Sequence, residues 1–362
     1  MQPVRHVYVH VPFCPRICPY CAFSVLPADR RQMSPLVDAI LREKKTVSKL
    51  CVPLPETLYL GGGTPSALPT RELERLLIGL LPVSTGAELT LEMNPTTVSR
   101  EKAALLHSMG VNRISLGAQS LDAETLSFLG RQHTPELIRR SVKILRDAGF
   151  CNINLDLIFG SPTESLEKWM RTLEQAVGMS PEHISAYQLT VEEGTPFAQK
   201  LSAGAWVQNE DEDAKKFLET GKFLESAGYG QYEVSNYAKL GFESRHNQAY
   251  WRGEDYLGLG PGAVSTVGSV RWTNPTDLLH YGGSVTPEAH GKSGQEILTP
   301  EMRQKEKLML GLRTAGGVVI ESGWETALAD LLEAGYATEN QGCWKLTREG
   351  LLRADSIAQL FF

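Results

Sequence analysis

The sequence lacks what would commit it to a membrane or to nucleic acid. Its 362 residues contain no apolar run of transmembrane length. The N-terminus, MQPVRHVYVHVPF, has one arginine, an apolar run broken by His10 and Pro12, and no small-residue cleavage site. It does not read as a signal peptide. These absences predict a cytoplasmic protein, and without a basic amphipathic helix any membrane contact is at most peripheral. The net charge of −6 gives no pull toward polyanions, and no basic stripe interleaved with aromatics is present, so no nucleic-acid partner is expected. Low-complexity tracts are absent. Cysteine is scarce, with six in the chain. In a reducing compartment six cysteines are no disulfide framework, so any close group of them points to metal or redox chemistry.

Such a group exists. CPRICPYCAF (14–23) places Cys14, Cys18 and Cys21 in the pattern C-x3-C-x2-C, with Phe23 where a fourth cysteine could stand. Thiolates are the usual ligands of iron–sulfur clusters and structural zinc. Zinc prefers four ligands in paired C-x2-C knuckles, and no second pair follows. Three thiolates can hold three irons of a four-iron cube and leave the fourth iron open. A chance grouping of unreactive thiols is the plainer alternative, but the tight spacing and the flanking prolines, which force the loop to wrap, oppose it. Cys51, Cys151 and Cys343 have no cysteine neighbours and read as buried small hydrophobes.

Residues 6–190 repeat one unit: a β-branched run, a polar or glycine loop, an amphipathic helical stretch. Strands are predicted over 6–11, 57–62, 88–94, 113–119, 152–160 and 183–190. Helices are predicted over 34–50, 70–81, 99–110, 134–150 and 165–177, with Gly110 and Gly149 closing two of them. The alternation implies an α/β fold with a parallel sheet, either open or most of a barrel. The cysteine group, GGGTP (61–65), Glu92, Gln119, Asp156 and Thr190 all fall at the C-terminal ends of strands, where βα barrels gather their sites. Singly, each reads as well as a loop cap. Together they favour a partial barrel around one ligand. Residues 191–290 lose the alternation around a helix at 210–227. Residues 283–300 read as a loop or linker. Residues 301–362 read as a small α+β unit of helices, a hairpin over 336–347 and a last helix. The domain division that follows is 1–200, 201–290 and 291–362.

C-x3-C-x2-C after a first strand, with Tyr20 just before the last cysteine, resembles the radical S-adenosylmethionine (SAM) superfamily. GGGTP matches that family's SAM-binding loop, where exposed N–H groups can bind a carboxylate or orient an amino group. YVHVPFC (8–14), LYLGGGTPS (58–66), LEMNP (91–95), RISLGAQS (113–120), LGRQHT (129–134), NLDLIFGSP (154–162) and YLGLGPGAVS (256–265) resemble the coproporphyrinogen III dehydrogenase group over nearly the whole chain. The resemblance implies a partial (β/α)6 TIM-like barrel of the radical SAM type with a small C-terminal α+β domain. It implies a [4Fe-4S] cluster on Cys14, Cys18 and Cys21. It implies SAM contacts by Tyr8, Tyr20, Gly62, Gly63, Thr64, Glu92, Gln119, Arg131 and Asp156, with Thr190 and Val264 at less specific positions.

Two departures separate the chain from the dehydrogenases. Their further cysteine is Phe23 here, and only seven residues precede the Tyr8 motif. Both match the sister branch of HemW-type heme chaperones. So does HNQAYW (246–251), in which His246 offers an imidazole for heme iron and Tyr250 and Trp251 offer flat faces. The expected activity is then heme binding and delivery to an apo-hemoprotein client such as a respiratory enzyme, with a flavodoxin- or ferredoxin-type electron donor. Radical oxidative decarboxylation of coproporphyrinogen III is the runner-up. An iron–sulfur or zinc scaffold without SAM is third. His10, His107, His133, His183, His280 and His290 read as structural, although His10 lies close enough to the cysteine loop to line it.

Overall fold

The structure is a computed structural model, which describes residues 4–48, 54–283, 294–320 and 324–361. Cys51 and His290 lie outside the described residues. Six strands run parallel in chain order: β1 (His6–Val11), β2 (Thr57–Gly62), β3 (Glu88–Met93), β4 (Arg113–Gln119), β5 (Ile153–Phe159) and β6 (His183–Gln188). Their period-two pattern explains the arrangement. One face carries Val7, Val9, Leu58, Leu60, Leu89, Leu91, Ile114, Leu116, Ile153, Leu155 and Ile184, all buried in the main core. The opposite face carries Tyr8, Tyr59, Glu92, Arg113, Ser115, Asn154, Asp156, His183 and Ser185, so the lumen of the curved sheet is polar.

The apolar face packs on the intervening helices α1 (Arg30–Val47), α2 (Thr70–Leu80), α3 (Arg100–Ser108), α4 (Ala123–Phe128), α5 (Pro135–Asp147) and α6 (Leu166–Gly178). Asp29, Ser99, Asp122, Thr134 and Ser165 accept backbone N–H bonds at five of the N-termini. Gly110 and Gly149 close α3 and α5 with φ of 85° and 102°.

The sheet does not stop at six strands. Tyr256–Leu259 (β8) pairs in parallel with the free edge of β1, and Val264–Val267 (β9), Val270–Thr273 (β10) and Gln295–Ile297 (β11) continue it antiparallel. At the other edge Asn236–Ala238 (β7) pairs antiparallel with β6. The outermost strands do not pair with each other, so the barrel is partial. Two expectations change here. Residues 295–297 are a sheet edge, not linker, while 284–293 lie outside the described residues. The last predicted helix is two short ones, Arg348–Leu351 and Ala354–Ala358. Short strands such as β8 are invisible to periodicity because their partner is more than two hundred residues away.

Glu43 of α1 fixes this extension. Only 2% exposed, it accepts from Gly260 N at 2.8 Å, Asn274 Nδ2 at 2.6 Å and the Tyr281 hydroxyl. Burial pushes its carboxyl up to about 7. Above its unfolded value, a raised acid holds an extra proton in the fold, so its contribution to stability falls as pH rises through that window. Glu43→Ala strands three buried donors and is expected to cost about 2–4 kcal/mol in denaturant unfolding.

Residues from Pro300 onward build a second small core from Leu308, Leu312, Leu328, Leu331, Ile357 and Phe361. The expected hairpin is present as Ala337–Asn340 and Cys343–Leu346. Cys151 is exposed and Cys343 half-buried, not the fully buried hydrophobes expected. Cys151 follows the Gly149 turn, where no helix covers it. Among the described residues no helix is long and apolar enough to cross a membrane.

Candidate cofactor site at the barrel mouth

The cysteine loop leaves β1 and returns at Leu26, where Leu26 N donates to Pro12 O at 2.8 Å and Ala28 N to Cys14 O at 2.9 Å. His10 pins its middle. His10 Nε2 bonds Ser24 O at 2.8 Å, and a carbonyl only accepts, so Nε2 carries the proton. Nδ1 then accepts from the Tyr8 hydroxyl at 3.0 Å. Burial lowers the His10 pKa and keeps the ring neutral. Tyr20 packs on Phe197 at the edge of an apolar cluster with Leu129, Ile158 and Leu189.

Cys14, Cys18 and Cys21 are all free and half-buried. Thr64 Oγ1 donates to Cys14 Sγ at 3.6 Å, and Arg131 Nη1 to Cys18 Sγ at 3.4 Å. Burial pushes Cys14 up to about 11 and raises Cys21. A bound cation must therefore displace protons from these sulfurs. Among the described residues no three His, Cys, Asp or Glu side chains gather closely enough to hold a single metal ion.

The glycine loop differs from expectation. Its N–H groups are spent inside the protein: Gly62 N donates to Glu92 Oε2 at 3.1 Å, Gly63 N to Val11 O at 2.9 Å and Thr64 N to Phe13 O at 2.8 Å. These three are not free to bind a carboxylate. Gly62 has φ of 103°, and a Cβ there would overlap the His10 ring; one on Gly63 would overlap the Pro12 carbonyl. The glycines let β2 lock against the cysteine loop. What the loop offers a ligand is acceptors, which suit an ammonium.

Glu92 and Asp156 stand in the lumen. Glu92 Oε1 accepts from Tyr59 OH at 2.8 Å. Asp156 accepts from Ser115 Oγ and Asn154 Nδ2, each at 2.9 Å. Desolvation, then the charge of Asp156, pushes Glu92 up to about 7, and desolvation raises Asp156. Gln119 sits at a β-bulge with φ of 66°, a strained conformation for a non-glycine residue that brings its amide over Gly117. Arg131 Nη2 bonds Gly117 O at 2.8 Å, and its buried Nε has no partner. Thr190 is exposed beyond β6, and Val264 is half-buried in β9, between β8 and β10.

His246 must be corrected. It lies on α7 (Arg245–Trp251), only 1% exposed. α7 closes the floor of the barrel, the end opposite the cysteines: Glu88, the first residue of β3, accepts from Arg245 N at 2.9 Å and His246 N at 3.0 Å. A hydrogen-bond chain fixes the ring. Glu254 Oε2 accepts from His6 Nε2 at 2.8 Å, and His6 Nδ1 bonds Thr57 Oγ1 at 3.0 Å. Thr57 Oγ1 also bonds His246 Nδ1 at 2.7 Å, and His246 Nε2 bonds Tyr250 OH at 3.1 Å. The ring also stacks on Tyr59 at 5.0 Å. Neither nitrogen is free for iron, and burial, with the charges of His6 and Arg113, pushes its pKa down to about 3. Tyr250 stands edge-on between His246 and Tyr256, so it presents no open face to a porphyrin. HNQAYW is a plug.

Sequence reasoning missed Arg113 and Tyr59 as parts of this site; His10 it placed near enough to the cysteine loop to line it. The signal was available, since period-two alternation places both on the same face as Glu92 and Asp156.

Comparison with known proteins agrees with this geometry. The Radical SAM superfamily profile matches residues 8–176. Heme chaperone HemW of Bacillus subtilis is 31% identical over 99% of this chain and 99% of its own length. That of Escherichia coli is 33% identical over 99% and 98%. A mitochondrial radical S-adenosyl methionine domain-containing protein 1 of Danio rerio is 35% identical over 88% and 74%. Coproporphyrinogen III oxidase (HemN) of Escherichia coli shares the fold with a TM-score of 0.85, at 23% identity, over 99% of this chain and 90% of that one. The cysteine loop, the polar lumen and the full-length likeness have one reading: the chain belongs to the HemW heme chaperone family of the radical SAM superfamily.

Proposed function

We propose that this protein binds heme and transfers it to an apo-hemoprotein, using a site that holds a [4Fe-4S] cluster and SAM. The full-length likeness to heme chaperones carries the reading, and Phe23, 74% exposed where the dehydrogenases have a cysteine, supports it. Cys14, Cys18 and Cys21 would hold the cluster, and Tyr20 would buttress its loop. SAM on a reduced cluster supplies one-electron chemistry. The residues fit both groups. Soft thiolates suit iron. The acceptors of Gly62 and Gly63 and the lumen carboxylates suit the ammonium and ribose hydroxyls of SAM. Arg131, with an unpartnered Nε, suits its carboxylate.

Each side chain has a task that does not depend on turnover. His10 and Thr64 orient the cysteine loop. Gln119 narrows the mouth. Tyr59 and the Gly62 N–H hold Glu92 so that its charge faces the lumen. The small unit after Pro300 would contact the client, a flavodoxin- or ferredoxin-type donor would reduce the cluster, and the cytoplasm would be the compartment.

The test is anaerobic reconstitution followed by heme titration and mixing with an apo-hemoprotein. Heme should bind at micromolar concentration or tighter and move to the client, read from the Soret band. Protein that binds no heme, or that converts coproporphyrinogen III to protoporphyrinogen IX, refutes the reading.

A further inference from the structure

Arg113 opens β4 and is 1% exposed. It stands in register with Thr90 of β3, and two residues on, Ser115 stands opposite Glu92. Its side chain therefore lies on the lumen face, one same-face position below Glu92 and two below Asp156, which stands opposite Gly117. No ion pair to it exists among the described residues, and its Nε has no acceptor. A buried guanidinium without a bonded carboxylate costs several kcal/mol. As mere filler, a methionine would be cheaper.

The carboxylates could have paired with it and do not. Tyr59 OH and Gly62 N occupy the Glu92 oxygens, and Ser115 and Asn154 occupy those of Asp156. All four donors are neutral. Two carboxylates sharing one low-dielectric lumen repel each other, and without a nearby cation one would take up a proton. The other cation near this space, Arg131, lies at the mouth on Gly117 O and Cys18 Sγ, and His6 lies at the floor on Glu254. Tyr8 from β1, Tyr59 from β2, Tyr187 from β6 and Tyr232 are hydroxyls that burial raises, and His183 and His246 are lowered by burial and by Arg113. Arg113 is also the cation that opposes the upward shifts of Glu92 and Asp156.

We infer that Arg113 is a positioning residue for the SAM site: a buried counter-charge that keeps Glu92 and Asp156 ionised through space and leaves their outward faces to the ligand. A salt bridge would neutralise the same charges but occupy the oxygens and turn them toward the floor. This deepens the proposed function and rests on its assignment of Glu92 and Asp156 to SAM.

The pH profile of SAM affinity tests it, measured by equilibrium dialysis on reconstituted full-length protein between pH 6 and 9. Wild-type affinity should fall as pH drops through about 7, where Glu92 takes its proton. In Arg113→Met and Arg113→Gln the fall should move up by about one pH unit. Binding would then be about fivefold weaker at pH 7 and recover at pH 9. A deficit equal at every pH, or an unmoved profile, overturns the inference. A second readout needs no SAM. Carboxyl 13C NMR of the apo-protein, assigned with Glu92→Gln, should show Glu92 titrating at higher pH in Arg113→Gln than in wild type; the same midpoint in both overturns the inference. Wild-type protein that binds no SAM at any pH refutes the assignment of the site instead, and the NMR titration then decides Arg113 separately.

Discussion

Alanine in place of Cys14, Cys18 or Cys21 is expected to empty the protein of iron and end heme transfer while leaving it folded. The loop is held by backbone bonds, Leu26 N to Pro12 O and Ala28 N to Cys14 O, and by His10 on Ser24 O. No thiol takes part in these bonds, and alanine removes only the weak contacts from Thr64 Oγ1 and Arg131 Nη1, so unfolding free energy should change by less than about 1 kcal/mol in the apo-protein. The cluster depends on all three sulfurs. Thiolate sites bind metal with about 10–16 kcal/mol over four ligands, so each ligand is worth about 3 kcal/mol, roughly a hundredfold in affinity. Iron and sulfide per chain after anaerobic reconstitution give the measurement. Cys151→Ala and Cys343→Ala are the controls and should retain full iron. A triple-cysteine variant that still passes heme at the wild-type rate would remove the cluster from the working cycle.

His246→Ala is expected to do the reverse: weaken the fold and spare heme binding. The substitution removes the ring stacked on Tyr59 and its bonds to Thr57 and Tyr250, all beneath the lumen. Two stranded hydroxyls and a cavity the size of an imidazole predict a loss of about 2–4 kcal/mol. Heme affinity, followed by Soret titration below the unfolding transition, should stay within about twofold. A tenfold loss of heme affinity with unchanged stability would return His246 to the role that its motif suggests. Glu88→Gln separates the two functions further. It weakens the anchor on Arg245 N and His246 N without touching the imidazole, and should lower stability alone.

His246 also shows where a sequence reading loses its footing. A histidine beside a tyrosine and a tryptophan looks like a ligand because chemistry can be read from residue types. Whether its nitrogens are free is set by Thr57 and Tyr250, and Thr57 lies 189 residues away. The glycine loop repeats the lesson. GGGTP was legible as a close-approach motif, and it is one, but its N–H groups go to Val11, Phe13 and Glu92 rather than to a ligand. In both cases the residue types were informative and the hydrogen-bond partners were not, because partners come from other strands.

The sequence by itself determined the order and hand of the parallel strands, the helix caps, the cysteine loop and the convergence of Glu92, Gln119 and Asp156 at one mouth. These are local: period-two and period-3.6 patterns, capping residues and motif spacing all act within a few residues. Only the tertiary structure decided which end of the barrel HNQAYW occupies, that β8 extends the sheet beside β1, and that Arg113 stands unbonded beneath two carboxylates. Each of these is a long-range contact, and burial energetics, not local propensity, select it. The missing fourth cysteine needed both. Sequence located Phe23, and the fold exposed it at the mouth, outside the core that the rest of the loop grips.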